Sequence, residues 1–433
     1  MDKRIEALKE YLDGSHSVFH AVAGLAARLE NAGYRRLSEG ESWQLEKGGK
    51  YYLTRGESSV IAFRVPKGEA LGFAMTASHS DRPTFKVKEN GELVSAYTRL
   101  AVERYGGMLI APWLDRPLSV AGRVVVKTAE GIQSRLVDID RDIALIPNVA
   151  IHMNRQANDG YKWNPAADVL PLLGTQSAAK KFWAAVESQA GGEILGHDLT
   201  LYVRQDARVW GMDEEFISAP ALDDLQCAFG CAQGFLNAGE SGNIPVLCVF
   251  DSEEVGSGSL QGAASDLLEA TLSRICAALN LDKHIMLSHS FLVSADNAHA
   301  LHPNHPELAD SANAPVLGGG IVIKFNANQK YTSSGISAAV MRAVCEKADI
   351  PAQTYCNRAD IPGGSTLGNI SLSQVSVLSV DIGLPSWLCT LVTKLPLWRT
   401  TLPWKRLWSA STAPPFARPA TATSVLTKTK RCH

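Results

Sequence analysis

The stretch Ile-Pro-Val-Leu-Cys-Val-Phe-Asp-Ser-Glu-Glu-Val-Gly-Ser, residues 244–257 of a 433-residue chain, points to a fold class and to a site within it. Its first half is a short apolar run rich in β-branched residues, which is typical of a buried strand. Two adjacent carboxylates, Glu253 and Glu254, follow that run. Because neighbouring like charges repel and burial disfavours both ionised forms, a positive group must compensate for them. A metal ion would do so, since it can take one carboxylate as a ligand and leave the other to accept a proton from water.

Other apolar segments also lead to candidate metal ligands. A strand-like run ends at His79 and Asp81, a His-x-Asp pair in which the His can bind metal through one ring nitrogen while the Asp holds the other. Asp223 and Asp224 open a predicted helix, and a further apolar run ends at Asp296. Open α/β sheets place their ligand sites at the carboxyl ends of strands, so the pattern predicts an α/β fold with a metal site at one sheet edge.

Each of these elements has a simpler interpretation when it is taken alone. A His-x-Asp pair is usually a satisfied surface pair, two acids at a helix start usually cap the helix, and a Glu-Glu pair usually lies on a solvated face. The conjunction favours the metal site, because unrelated caps and surface pairs need not all adjoin buried apolar segments.

Together these motifs resemble those of the aspartyl aminopeptidase family, whose members are dinuclear zinc exopeptidases. The resemblance covers about residues 1–385. It rests on the following segments: His79-Ser-Asp81, Leu222-Asp-Asp224, Asp251-Ser-Glu-Glu-Val-Gly-Ser257, Ser294-Ala-Asp-Asn-Ala-His-Ala-Leu-His-Pro-Asn304, and residues 146–155, 322–331 and 360–368.

The resemblance implies a role for each matching residue. It implies two zinc ions per subunit, for which cobalt or manganese could substitute. The implied metal ligands are His79, Asp223, Glu254 and Asp296, with Asp223 bridging the two ions. Glu253 is the implied general base, Asp81 orients His79, and His152 and Lys324 contact the substrate. Asp224 stands where the family commonly has Asn.

The chain organisation combines residue patterns with the resemblance. Residues 4–35 are predicted to be helical, and strands are predicted near 51–53 and 60–65. Short alternating runs at 123–127, 134–138 and 198–204 predict β-structure between the ligand segments. We therefore expect a zinc-exopeptidase-like α/β/α catalytic domain, residues 1–84 plus 221–433, with an inserted β-rich dimerisation domain at 85–220.

The resemblance implies a metallo-aminopeptidase that removes N-terminal residues, with a family preference for Asp or Glu, from peptides with a free amino terminus. It further implies a homo-oligomer built from dimers, which could be as large as a dodecamer. A related dizinc amidohydrolase or deacylase would share the metal ligands but lack a pocket for the free amine. A catalytically impaired assembly or binding protein on the same fold is the alternative from another class.

Composition narrows the cellular context. The net charge is −2, which gives no electrostatic case for binding nucleic acid or a membrane surface. The eight cysteines form no Cys-x-x-Cys pair, which indicates free thiols in a reducing compartment. The amino terminus predicts an amphipathic helix rather than a signal peptide, and no apolar run is long enough to span a membrane. We expect a cytoplasmic protein.

The segment after Pro385 departs from the pattern of the rest of the chain. Four of the nine tryptophans fall there, and no His stands between His305 and His433. The resembled family has a second zinc-ligand His directly after this position, in a Met-His-Ser sequence. In a reading frame shifted by one base, the bases from the end of the Ser386 codon into the Leu395 codon are compatible with Met-Ala-Met-His-Ser-Gly-Tyr-Glu-Thr. We therefore expect the natural gene to encode that His, and expect the chain as written to have an impaired second metal site.

Overall fold

The structure is a computed structural model and describes residues 3–387. The helices are α1 Lys3–Asp13, α2 Val18–Asn31, α3 Lys181–Ala190, α4 Leu222–Asn237, α5 Leu267–Ala278, α6 Lys283–Ser288, α7 Gly335–Lys347 and α8 Leu367–Gln374. The strands are β1 Arg35–Arg36, β2 Lys50–Arg55, β3 Ser59–Arg64, β4 Gly72–His79, β5 Thr84–Val94, β6 Tyr97–Tyr105, β7 Leu118–Thr128, β8 Gly131–Asp138, β9 Leu172–Thr175, β10 Glu193–Val203, β11 Arg208–Trp210, β12 Phe216–Ser218, β13 Asn243–Phe250, β14 Phe291–Ala295, β15 Ala298–His299, β16 Ile321–Phe325, β17 Ala352–Cys356, β18 Leu378–Gly383 and β19 Pro385–Ser386.

The larger sheet has nine strands in the order β1-β2-β3-β13-β4-β14-β18-β16-β17. Its central strands β13, β4, β14 and β18 run parallel to one another. Every residue of β4 and of β13 is buried, as expected for strands covered on both faces. One apolar cluster includes residues of α1, α2, α4 and α7, and another includes residues of α5, so helices cover both faces. The predicted α/β/α fold is confirmed.

Strand register brings the predicted ligand segments to one edge of this sheet. Phe250, the last residue of β13, pairs with His79, the last residue of β4. Ser294 of β14 pairs with Ala77 of β4. The carboxyl ends of all three strands therefore lie side by side, where the sequence places its acids and its His.

Two helices, α1 and α2, occupy most of the segment 4–35, which the sequence predicted to be helical. The Ser17 side chain caps α2 by accepting a hydrogen bond from the backbone N–H of His20. The Ser15 hydroxyl donates to the backbone carbonyl of Tyr11 near the end of α1. Local polar bonds of this kind compete with a continuous helix, and they turn the chain so that α1 and α2 both pack on α4.

A second, six-stranded antiparallel sheet has the order β8-β7-β10-β5-β6-β9 and lies within residues 84–203. The predicted β-runs at 123–127 and 134–138 fall inside β7 and β8, and the run at 198–204 overlaps β10. This sheet has an apolar core of its own, which includes Phe85 and Trp113 in an edge-to-face contact.

Two further features concern the described part of the chain. Its six cysteines are all free thiols. Across residues 3–387, no helix has both the length and the apolar character that crossing a bilayer requires. The tail after Trp387, on which the frame-shift expectation rests, lies outside the described residues.

Candidate metal centre

Three predicted metal ligands come together at the carboxyl edge of the larger sheet. His79 ends β4, Asp223 lies at the start of α4, and Asp296 follows β14. The Nε2 atom of His79 is 3.6 Å from Asp223 Oδ1 and 3.8 Å from Asp296 Oδ1. These distances exceed an ordinary hydrogen bond, so the three side chains surround a common point without bonding tightly to one another.

Asp224 joins the same cluster, although the sequence did not predict it as a ligand. One ligand atom from each of His79, Asp223, Asp224 and Asp296 can be chosen so that all lie within 4.8 Å of one another. Asp223 and Asp224 have non-helical backbone angles, and the Asp224 Oδ2 atom accepts a hydrogen bond of 3.2 Å from the backbone N–H of His79. Asp224 is therefore not the cap of α4, whose N-cap residue is Ala221, and its side chain instead contacts the strand that carries the His.

The electrostatics of this cluster require a positive charge. Burial alone would lower the pKa of His79, but the acidic neighbours Asp223, Asp296 and Asp81 raise it well above its usual range. Burial raises the pKa of Asp224 well above the usual value, and Asp296 and Asp223 add to that effect. In the protein without metal, protons must therefore supply the charge that a metal ion would supply.

Asp81 connects the His to the two adjacent glutamates. Its Oδ1 atom lies 3.3 Å from His79 Nδ1, and its backbone carbonyl accepts from the same nitrogen at 3.1 Å. Its two carboxylate oxygens accept hydrogen bonds from the backbone N–H groups of Glu253, at 3.0 Å, and Glu254, at 3.1 Å. A buried aspartate thus fixes both the ring of the His and the turn that carries the glutamates.

The side chain of Glu253 is in an environment suited to a base. Burial, together with the carboxylates of Asp296, Asp81 and Asp223, raises the pKa of Glu253 to about 8 against the attraction of His79. A carboxylate with a raised pKa binds a proton more strongly, which a general base near neutral pH requires. Glu254 does not belong to the four-residue cluster of possible ligands. It follows Glu253 on the same short 3-10 turn.

The two predicted substrate residues have very different surroundings. Lys324 on β16 is 2% exposed; its Nζ atom lies 3.4 Å from Asp296 Oδ2 and 3.1 Å from the backbone carbonyl of Asn297. It also lies 5.1 Å from the centre of the Tyr331 ring. His152 is exposed, in a turn between β8 and β9. Of these two residues, Lys324 contacts the cluster and His152 does not.

The sequence did not identify Asn297 or Tyr105, although both support the centre. The Asn297 side chain accepts a hydrogen bond from the Gln226 side-chain amide at 2.5 Å and donates to the backbone carbonyl of Leu222 at 3.2 Å. It therefore ties the segment of Asp296 to the start of α4. Asn297 could have been suspected from its place beside Asp296, but no sequence signal marks Tyr105.

The residues of the cluster fit zinc. Carboxylate oxygens and imidazole nitrogens are among its usual ligands. Donor atoms about 2.1 Å from a tetrahedral zinc lie about 3.4 Å apart, close to the 3.6 and 3.8 Å that separate His79 Nε2 from its acidic neighbours. The buried excess of negative charge supplies the electrostatic reason for a divalent cation.

Comparisons with known proteins agree with this geometry. Residues 11–389 match the family described as aminopeptidase I zinc metalloprotease (M18). A Clostridium novyi (strain NT) protein described as a probable M18 family aminopeptidase 2 is 41% identical over 410 residues, covering 89% of this chain and 93% of the relative. A chain in the cryo-EM structure of the Ape4 and Nbr1 complex is 32% identical, with a TM-score of 0.89, covering 93% of this chain and 84% of that chain. A chain of the S. cerevisiae mApe1 dodecamer is similar in fold, at 24% identity and a TM-score of 0.82, covering 94% of this chain and 96% of that chain.

Proposed function

The chain belongs to the M18 family of zinc metallo-aminopeptidases, and from that premise we propose how its own residues divide the work. His79, Asp223, Glu254 and Asp296 would hold two zinc ions, with Asp223 between them. Glu253 is the general base, and Asp81 positions His79. Asp224 is a candidate additional ligand because it shares the cluster.

The proposed chemistry is hydrolysis of the first peptide bond of a substrate with a free amino terminus. When bound, zinc supplies the Lewis acidity that polarises the scissile carbonyl and activates water. Glu253 takes one proton from the attacking water and passes it to the leaving nitrogen, so the peptide bond breaks as the new C–O bond forms. Acidic side chains that do not bind metal would pair with the ammonium group of the substrate. That pairing would favour cleavage at a free amino terminus over cleavage within a peptide.

The strongest support is the convergence of one His and three carboxylates, all buried except the half-buried Asp296, around a common point beside a glutamate of raised pKa. A helix cap or a solvated acidic face would not need that arrangement.

Because a dizinc deacylase would use similar ligands, the discriminating experiment compares an aminoacyl p-nitroanilide with its N-acetylated counterpart. The account predicts zinc-dependent cleavage of the free-amine substrate. Preference for the N-acetylated substrate would support the deacylase, and no cleavage of either by the zinc-loaded protein would support the impaired protein.

We also propose a preference for substrates with N-terminal Asp or Glu. Lys324 is a buried cation beside Asp296, so an acidic side chain placed near it would gain a charge-assisted hydrogen bond. Lys324→Met should lower kcat/KM for an Asp substrate more than for an Ala substrate. Lys330→Met is the matched control, because Lys330 is exposed in a nearby loop. Equal losses on both substrates would mean that Lys324 serves the centre through Asp296 and does not select substrates.

For assembly, we propose a dimer-based homo-oligomer in which residues 85–220 form the dimerisation domain. His152 would then reach the active site of a neighbouring subunit, which is consistent with its exposed position. A structural relative forms a dodecamer, and we propose an assembly of up to that size. We further propose a cytoplasmic location, supported by the six free thiols of the described residues.

A further inference from the structure

We propose that Tyr105 and Gly106, at the carboxyl end of β6, are positioning residues for the Glu253-Glu254 turn. They belong to the second sheet, whereas the turn follows β13 of the larger sheet. The second sheet would thus contribute to catalysis within its own subunit, in addition to any role in assembly. This inference rests on the proposed roles of Glu253 and Glu254.

Tyr105 acts on the turn through Asp81. Its hydroxyl donates a hydrogen bond of 2.7 Å to Asp81 Oδ2, the same oxygen that accepts from the backbone N–H of Glu254. The other oxygen accepts from the backbone N–H of Glu253. The carboxylate of Asp81 therefore receives one hydrogen bond from the phenol and two from backbone N–H groups, and its Oδ1 atom also lies 3.3 Å from His79 Nδ1. Hydrogen bonds to a buried carboxylate are among the strong ones, so removing this donor should loosen the orientation of Asp81.

Strand pairing makes the phenol a well-placed donor. Tyr105 is the last residue of β6 and pairs with Thr84, the first residue of β5, which lies three positions after Asp81. Regular antiparallel pairing therefore sets the backbone position of Tyr105, beside the short connection between β4 and β5 that carries Asp81. Side chains carried by regular strands are held more precisely than those carried by loops.

Gly106 contacts the turn directly and independently of Asp81. Its φ of +77° is in the left-handed region, and a Cβ atom at this position would lie 3.0 Å from Glu254 Cβ and 3.4 Å from the Glu254 carbonyl oxygen. The backbone of Gly106 therefore lies against Glu254, where a Cβ atom would fit only if Glu254 moved by a few tenths of an ångström. Two consecutive residues of one strand end thus support the turn, one through a hydrogen bond and one through close packing.

The test compares pairs of variants in the zinc-loaded full-length protein. Tyr105→Phe removes one hydroxyl, and Tyr202→Phe is its matched control, because the Tyr202 hydroxyl donates to Asp138 at 2.8 Å within the same sheet. Tyr105→Phe should lower kcat/KM by about 10- to 100-fold, the usual loss when a group that orients a metal ligand is removed. The loss should appear in kcat or in zinc affinity, with KM nearly unchanged. Tyr202→Phe should stay within about 2-fold of the parent, because it does not contact the centre.

A second pair of variants tests Gly106, and an Asp81→Asn background tests whether Tyr105 acts through Asp81. Gly106→Ala should also lower kcat, whereas Gly131→Ala should not, because Gly131 has φ +116° but no atom within 4 Å of its added Cβ. If Tyr105 acts through Asp81, Tyr105→Phe should cost much less in an Asp81→Asn background than in the parent.

The outcomes distinguish this inference from the proposed function. Parent-like kcat, KM and zinc content for Tyr105→Phe, or equal losses for Tyr105→Phe and Tyr202→Phe, would overturn the positioning role. A Glu253→Gln variant that kept its activity would instead overturn the proposed function on which that role depends.

Discussion

The protein without metal should release protons when it binds zinc, because the pKa values of His79, Asp224 and Glu253 are all raised. The acidic neighbours of His79 raise its pKa well above the usual value, so its ring must lose a proton to bind metal. The pKa of Glu253 is raised to about 8, so at pH 7 it holds about 0.9 proton. A nearby divalent cation lowers that pKa and releases part or all of this fraction. We expect release of at least about one proton, and of more than one as Glu253 and Asp224 give up the protons that they hold.

Isothermal titration of zinc into the metal-free protein, in buffers of different ionisation enthalpy, measures this number directly. At pH 8.5 Glu253 holds only about 0.2 proton, so its contribution should fall by about 0.7 as the pH is raised. Glu253→Gln is the control, and it should remove that contribution while keeping the proton of His79. Release below about 0.5 proton at pH 7, or release that is the same in Glu253→Gln as in the parent, would refute the electrostatic description of the site.

Three further predictions concern the metals, the assembly and the tail. Asp223→Ala should lose both metals or keep one weak site, whereas His79→Ala should mainly weaken one; a full metal complement in the Asp223 variant would show that it does not bridge. Light scattering should give a dimer or a larger oligomer, and an active monomer would contradict both the oligomer and the shared role of His152. Resequencing the natural gene around Pro385 should show a shifted frame that encodes Met-His; confirmation of the present tail would mean that the second metal lacks this ligand.

The central part of the fold could be predicted because its signals are local. The run from Ile244 to Phe250 is apolar throughout, since β13 is covered on both faces, and the acids after it stand at a strand end. The same logic placed His79 and Asp296 correctly at the ends of β4 and β14. Parallel strands then bring separated sequence segments together at one edge, which makes a metal site predictable from motifs more than 200 residues apart.

The contacts that the sequence could not predict depend on tertiary structure. Tyr105 ends an ordinary alternating strand, and only the pairing of β6 with β5 brings its hydroxyl to Asp81. The break between α1 and α2 depends on Ser15 and Ser17 bonding to nearby backbone, which competes with a helical pattern that would otherwise continue. Asp224 could be taken for a helix cap from the sequence, because only the folded chain brings it from α4 to His79 on β4.

The most direct test of the central claim is the activity of Glu253→Gln with its metal content measured on the same sample. Glutamine keeps the size of the side chain but cannot accept the proton of the attacking water. The account predicts a kcat lower by about 10²- to 10⁴-fold with zinc content and KM close to the parent. Activity within a few-fold of the parent would contradict the assignment of the general base, and loss of zinc would show that Glu253 is a ligand instead.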